Sequence, residues 1–227
     1  MHPHILPEKV VRAVIARRGR LHAFETIDPP RTALVVIDMQ NVFCAPGAPI
    51  QVPVARQIVP NINRLAAAVR QAGSPVVWVQ MTVSEQEEWP IFLDHIVSSS
   101  VSQDILEALR PDSEGHRLWP EMQVDPDDLI VRKNRFSAFL PSACPLAGIL
   151  EERGVDTVII VGALTNVCCE SSARDAMMMD FRTIMVSDAN ATRSDEEHLA
   201  TLITFAQAFG DVRSSDEVIA LLAANAG

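Results

Sequence analysis

From Thr32 onward the chain alternates short, unbroken apolar runs with longer stretches whose apolar residues recur at helical spacing. Ala33-Leu-Val-Val-Ile37 has no polar interruption, the pattern of a strand covered on both faces. Over about residues 54–72, Ile58, Ile62, Leu65 and Val69 form one stripe, Gly73 closes it, and Pro60 inside it predicts a kink or a break. The pattern then predicts a strand over Pro75–Gln80, a helix over Val101–Leu109, a strand over Asp128–Val131 and a helix over Pro145–Arg153. A strand over Thr157–Val161 runs into Gly162, followed by a helix over Asn166–Met179 and a strand over Thr183–Val186. Ser194-Asp-Glu-Glu197 reads as a capping box opening a helix to Phe209, and Ser215 opens a last one. This alternation predicts an α/β fold: one domain of three layers, with helices on both faces of a mostly parallel sheet. In such sheets ligands bind beyond the carboxyl ends of the strands.

The N-terminal thirty residues differ from the rest. They are net positive, whereas the whole chain carries −10. Pro7 can open a short helix with Val10, Val11, Val14 and Ile15 on one face, and Gly19 can close it. Residues 1–30 are therefore expected to form an arm ahead of a main domain spanning 31–227. The arm's apolar stripe needs a cover, from its own domain or from a neighbouring subunit, so a homo-oligomer, a dimer or tetramer, is expected.

Charge narrows the partners. A net −10 argues against a sequence-independent grip on nucleic acid or an anionic membrane. The longest apolar stretch lies near Val158–Leu164, far short of the roughly 18–20 residues that span a bilayer. Nothing at the N-terminus reads as an export signal, and four cysteines with two adjacent suit reduced thiols, so a cytoplasmic protein is expected.

Three strand ends carry chemistry. Asp38 directly follows the first strand, where burial raises a carboxyl pKa unless a partner keeps it ionised; a turn or capping role is the plain alternative. Lys133 follows the third strand, and apart from Lys9 every other one of the 19 Lys and Arg residues is arginine. Lysine differs from arginine as a compact point charge with a tunable pKa, although a solvated surface lysine is the alternative. Cys168 sits at a helix start after the Gly162 turn, where free amides lower a thiol pKa and can hold an oxyanion. A buried structural cysteine is the competing reading there, and the favoured one for Cys169.

Asp38 in Val-Val-Ile-Asp-Met-Gln-Asn, Lys133 after a strand, and Gly162-Ala-Leu-Thr-Asn-Val-Cys168 together resemble the isochorismatase-like cysteine hydrolase superfamily over about residues 32–210. The resemblance implies a Cys168–Asp38–Lys133 triad on a six-stranded sheet, cleaving the C–N bond of an amide, carbamoyl or ureido group through a thioester. It also implies a cis peptide at Ala163–Leu164 and an oxyanion hole from the Leu164 and Cys168 amides. Asp38-Met-Gln-Asn-x-Phe43, Lys133-x-Arg-Phe-Ser-Ala-Phe139 and Thr165-Asn-Val-Cys-x-Glu-Ser171 are most similar to the ureidoacrylate amidohydrolase branch. Two departures stand out: a longer stretch at Leu140–Leu146, and Cys169 where that branch has Val.

No cofactor or metal is expected. The Asp and two His ligands of nicotinamidases have no counterpart in Gln80–Trp89, and the isolated His95 and His116 suit surface roles. The substrate pocket is expected to have an aromatic wall of Phe43, Trp78, Phe136 and Phe139, with Asn41 and Arg135 as its polar residues. Arg135 would then hold an anionic tail on a small linear amide. The competing class of function is a catalytically silent member of the fold acting as a binding or assembly subunit.

Overall fold

The computed structural model describes residues 1–225. Six strands, β1 (Thr32–Ile37), β2 (Val76–Met81), β3 (Leu129–Lys133), β4 (Thr157–Ala163), β5 (Arg182–Ala191) and β6 (Asp211–Arg213), form one all-parallel sheet. Their order is β3-β2-β1-β4-β5-β6. The order reverses between β1 and β4, and a crevice opens at such a reversal because the flanking crossovers leave in opposite directions. The expected α/β/α domain is therefore the observed one.

Strand alternation divides the core into two layers. Leu34 and Val36 of β1 join one apolar cluster, while Ala33, Val35 and Ile37 join the other. The first layer is closed by α3 (Ala55–Gln71) and α8 (Ser215–Asn225), the second by α5 (Leu146–Glu152), α6 (Glu170–Met178) and α7 (Asp195–Ala208). In α3 the stripe Ile58, Ile62, Leu65 and Val69 is buried as its spacing requires, and Gly73 ends the helix in a left-handed turn. No break occurs at Pro60, because α3 continues through it to Gln71.

The arm packs on its own domain. Its helix α1 (Glu8–Arg18) buries Val10 and Val14 in the second layer, packed on α7 of the same chain. Val10 and Val14 of the apolar stripe are thus covered by the chain's own domain, whereas Ile15 on the same face stays 42% exposed. Strand boundaries shift. β3 starts after Asp128, whose carboxylate is held by Arg70 and Trp78, and it includes Lys133 as its last residue.

Between β2 and β3 the chain makes a long excursion over the sheet's carboxyl end. It contains a 3-10 turn (Gln86–Glu88), a π-helical turn (Phe92–Ile96) and α4 (Ser99–Leu109). A short helix, α2 (Asn41–Cys44), follows β1 at the same end. Among the described residues no helix is long and apolar enough to cross a membrane.

Candidate active site

The site assembles where the sheet order reverses. Asp38 leaves β1 with φ 53°, a left-handed conformation that non-glycine residues adopt at a cost and that clusters at functional sites. Its amide donates to the Val79 carbonyl at 3.0 Å. Gln40 straps the same turn to β2: its Nε2 donates to the Met81 and His116 carbonyls at 3.0 and 2.8 Å, and its Oε1 accepts from the Met81 amide at 2.8 Å.

Lys133 reaches this turn from the sheet edge, across β2. Its Nζ donates to Asp38 Oδ2 at 2.7 Å, to the Arg135 carbonyl at 3.1 Å and to Met81 Sδ at 3.3 Å. Three acceptors match the three protons of an ammonium, which is what lets a lysine only 1% exposed remain charged. Burial pulls its pKa down, but the Asp38 carboxylate and the adjoining Cys168 hold it above the usual lysine value. Asp38 itself is 0% exposed, and burial raises its pKa despite the opposing Lys133 charge. Its second oxygen, Oδ1, is buried without a hydrogen-bond partner.

Cys168 shares this nest, its thiol influencing the protonation of both groups and influenced by them. It ends no α-helical first turn. Thr165–Cys169 form a π-helical turn, and α6 begins only at Glu170. The Val167 and Cys169 amides both donate to the Leu164 carbonyl, straddling the Cys168 amide. The Ala163–Leu164 peptide is cis. Burial pushes the Cys168 thiol well above the ordinary cysteine value, with Lys133 countering and Asp38 adding to the rise. The thiol-lowering expected from a helix start is thus outweighed by desolvation. Cys169 is fully buried in the second core layer, with its pKa raised by burial further from use.

A supporting group behind this turn is invisible in the sequence pattern. His198 Nε2 lies 3.0 Å from the Ser187 carbonyl, which can only accept, so that nitrogen carries the proton. Burial lowers the His198 pKa to about 4, which leaves the ring neutral near pH 7. Nδ1 is then an acceptor, and it takes the Thr165 hydroxyl at 2.9 Å. His2 stacks on His198 with ring centroids 4.8 Å apart and bonds Asp195 at 2.6 Å. Long sequence separation conceals both contacts; the Thr165 hydroxyl within the turn is the one local signal.

A cavity of about 470 Å³ opens onto Cys168. Phe43, Phe136 and Leu164 line it, as do Met81 and side chains of the excursion before β3. The other four expected pocket residues lie elsewhere. Trp78 is fully buried in the first core layer, where its Nε1 donates to Asp128 at 2.7 Å. Phe139 is packed edge-to-face on Phe181 in the second layer. Strand alternation and the turn after β3 turn both rings inward rather than toward the strand ends. Asn41 Nδ2 is spent on Glu114, and Arg135 donates to the Asn134 and Glu88 carbonyls at 2.7 Å while stacking over Trp89. Arg193, rather than Arg135, is the charged residue lining the cavity.

Histidine placement is split. His95 is exposed, but His116 is buried, its Nε2 sharing a 2.8 Å hydrogen bond with Thr82 Oγ1, so its expected surface role is corrected. Among the described residues no three His, Cys, Asp or Glu side chains are grouped to hold a metal ion.

The model of the isochorismatase domain matches residues 32–217. A cysteine hydrolase from Pseudomonas syringae pv. phaseolicola 1448A is 31% identical with a TM-score of 0.81, covering 90% of this chain and 98% of that one. An isochorismatase-like hydrolase from Alkaliphilus metalliredigens is 26% identical, TM-score 0.70, covering 88% and 98%. The N-carbamoylsarcosine amidase of Thermoplasma acidophilum is 27% identical, TM-score 0.66, covering 82% and 97%.

Proposed function

The chain belongs to the isochorismatase family, and from that premise we propose that it is a cysteine-dependent amidohydrolase cleaving the C–N bond of a small carboxamide, carbamoyl or ureido compound. The observation that carries this reading is the buried Lys133–Asp38 pair, whose free carboxylate oxygen shares a nest with a cavity-lining thiol. Similarity to an N-carbamoylsarcosine amidase supports C–N cleavage as the reaction class.

The chemistry follows from the protonation states. Cys168 rests as a thiol, so a base beside it is required, and Asp38 has a raised pKa that suits it to accept a proton. As Asp38 takes the thiol proton, sulfur bonds the substrate carbonyl carbon and the C=O electron pair moves onto oxygen. The Leu164 and Cys168 amides receive that oxyanion, and the fixed Lys133 charge offsets the negative charge gathering around it. The C–N bond then breaks, and the departing nitrogen takes the proton back from Asp38. Water enters, gives its proton to Asp38 and attacks the thioester, releasing the acid and restoring the thiol.

Metal-free turnover and a small-molecule substrate complete the reading. The test is ammonia release over a panel of carboxamides, carbamoyl compounds and ureido acids. Release that depends on Cys168 supports the proposal; a panel left wholly intact, with Cys168 unreactive, points instead to a silent binding subunit.

A further inference from the structure

The amidohydrolase reading leaves open what the substrate carries on the far side of its carbonyl, and the cavity bears on that. Val101, Ile105 and Leu109 of α4 sit at i, i+4 and i+8, so one stripe of the helix faces the cavity for about 12 Å. Phe92, Ile96 and Val97 extend the same wall. Burial along the stripe is graded: Leu109 is 2% exposed, Ile105 3% and Val101 36%. The wall therefore runs from a closed inner end to an open mouth. The cavity's volume, about 470 Å³, falls within the range of roughly 300–1,000 Å³ in which ligands are held.

Polar groups on this wall would lose water and find no partner in exchange, since the side chains facing them offer neither donor nor acceptor. Among the described residues Arg193 is the one charged side chain lining the cavity, and it is solvent-exposed. A compact ureido acid, polar at both ends, would leave most of this surface uncovered. We infer that the substrate is a carboxamide whose acyl side carries a sizeable apolar group, an extended alkyl chain or an aryl ring, laid against α4. This rests on the amidohydrolase reading and narrows its substrate class.

The full-length protein is assayed for ammonia release from acetamide, butanamide, hexanamide and phenylacetamide, beside N-carbamoylglycine and β-ureidopropionate. Each methylene buried should raise kcat/KM about four-fold, until the cavity is filled. V101E, at a position already open to solvent, should flatten that slope toward one-fold per methylene. Binding of acetate, butanoate and hexanoate, the unreactive products, measured by titration calorimetry, should tighten along the same series. Preference for the ureido acids, or a flat series in the wild type, overturns the inference and leaves the amidohydrolase reading standing. No turnover of any compound, with the carboxylates still binding in rising order, overturns the amidohydrolase reading while the apolar subsite stands.

Discussion

A β-carbon added to Gly162 would fall 2.1 Å from the carbonyl oxygen of Ile37, the residue beside it in the sheet register. Gly162 also holds φ 119°, a conformation that side chains exclude. Its missing side chain lets β4 close on β1 just where one strand delivers Asp38 and the other the Cys168 turn. Asp38 and the Cys168 thiol meet because two backbones touch.

G162A should therefore destabilise the fold by more than about 2 kcal/mol and remove activity, since either strand must move. G148A is the internal comparison: it lies in α5, where an added methyl meets nothing within 4 Å. That change should raise stability by about 0.5–1 kcal/mol. Urea unfolding of both variants checks the pair, and equal tolerance of the two would refute the contact argument.

Lys133 fits as a point charge among three acceptors, and K133R brings a planar fork with no room to turn. A loss of at least about 10²-fold in kcat is expected. K133M strands a buried carboxylate and should cost about 3–5 kcal/mol near neutral pH. That penalty should shrink on acidification, because Asp38 is then neutralised. Near-normal kcat in K133R would place the lysine outside the chemistry.

The pH profile follows from Asp38. Only its ionised form can take the thiol proton, so kcat/KM should fall as pH drops through its raised pKa, at a midpoint above the usual carboxylate range. The sign for stability is opposite. A carboxyl whose folded pKa exceeds its unfolded one favours the folded state as pH falls through that window. Activity should thus be lost while far-UV circular dichroism is unchanged. An acid limb that coincides with unfolding would contradict the assignment.

Much of this was legible in the residues themselves. Unbroken apolar runs marked β1, β2 and β4, and strand-end chemistry marked Asp38, Lys133 and Cys168. The pocket was less readable because side-chain direction depends on register. Trp78 lies one residue from Val79, yet the two rest in opposite core layers. The sixth strand, Asp211–Arg213, is too short to leave a pattern. The excursion that walls the cavity showed only as the helix near Val101, with no sign of what it faced.

Trp78 now serves as a stability probe. W78F removes the indole donor to Asp128 and should cost about 1–3 kcal/mol while leaving KM unchanged. A several-fold change in KM at constant stability would return Trp78 to the substrate.

Thr165 anchors the Cys168 turn through neutral His198. T165V leaves Nδ1 without its donor and should lower kcat about ten-fold or more with little change in KM, the scale of a buried bond left unmade. T165S keeps the hydroxyl and should restore most of the rate. Equal loss in both would show that bulk, rather than the hydrogen bond, holds the turn.

Cysteine identity tests the central claim most directly. Ammonia release from the best amide of the panel is measured for wild type, C168A and C169V, each checked for unchanged melting. Cys168 lines the cavity and Cys169 is packed in the core, so C168A should show no turnover above background and C169V should stay within a few-fold of wild type. Turnover that survives in C168A, or is lost equally in both, would contradict a Cys168 nucleophile.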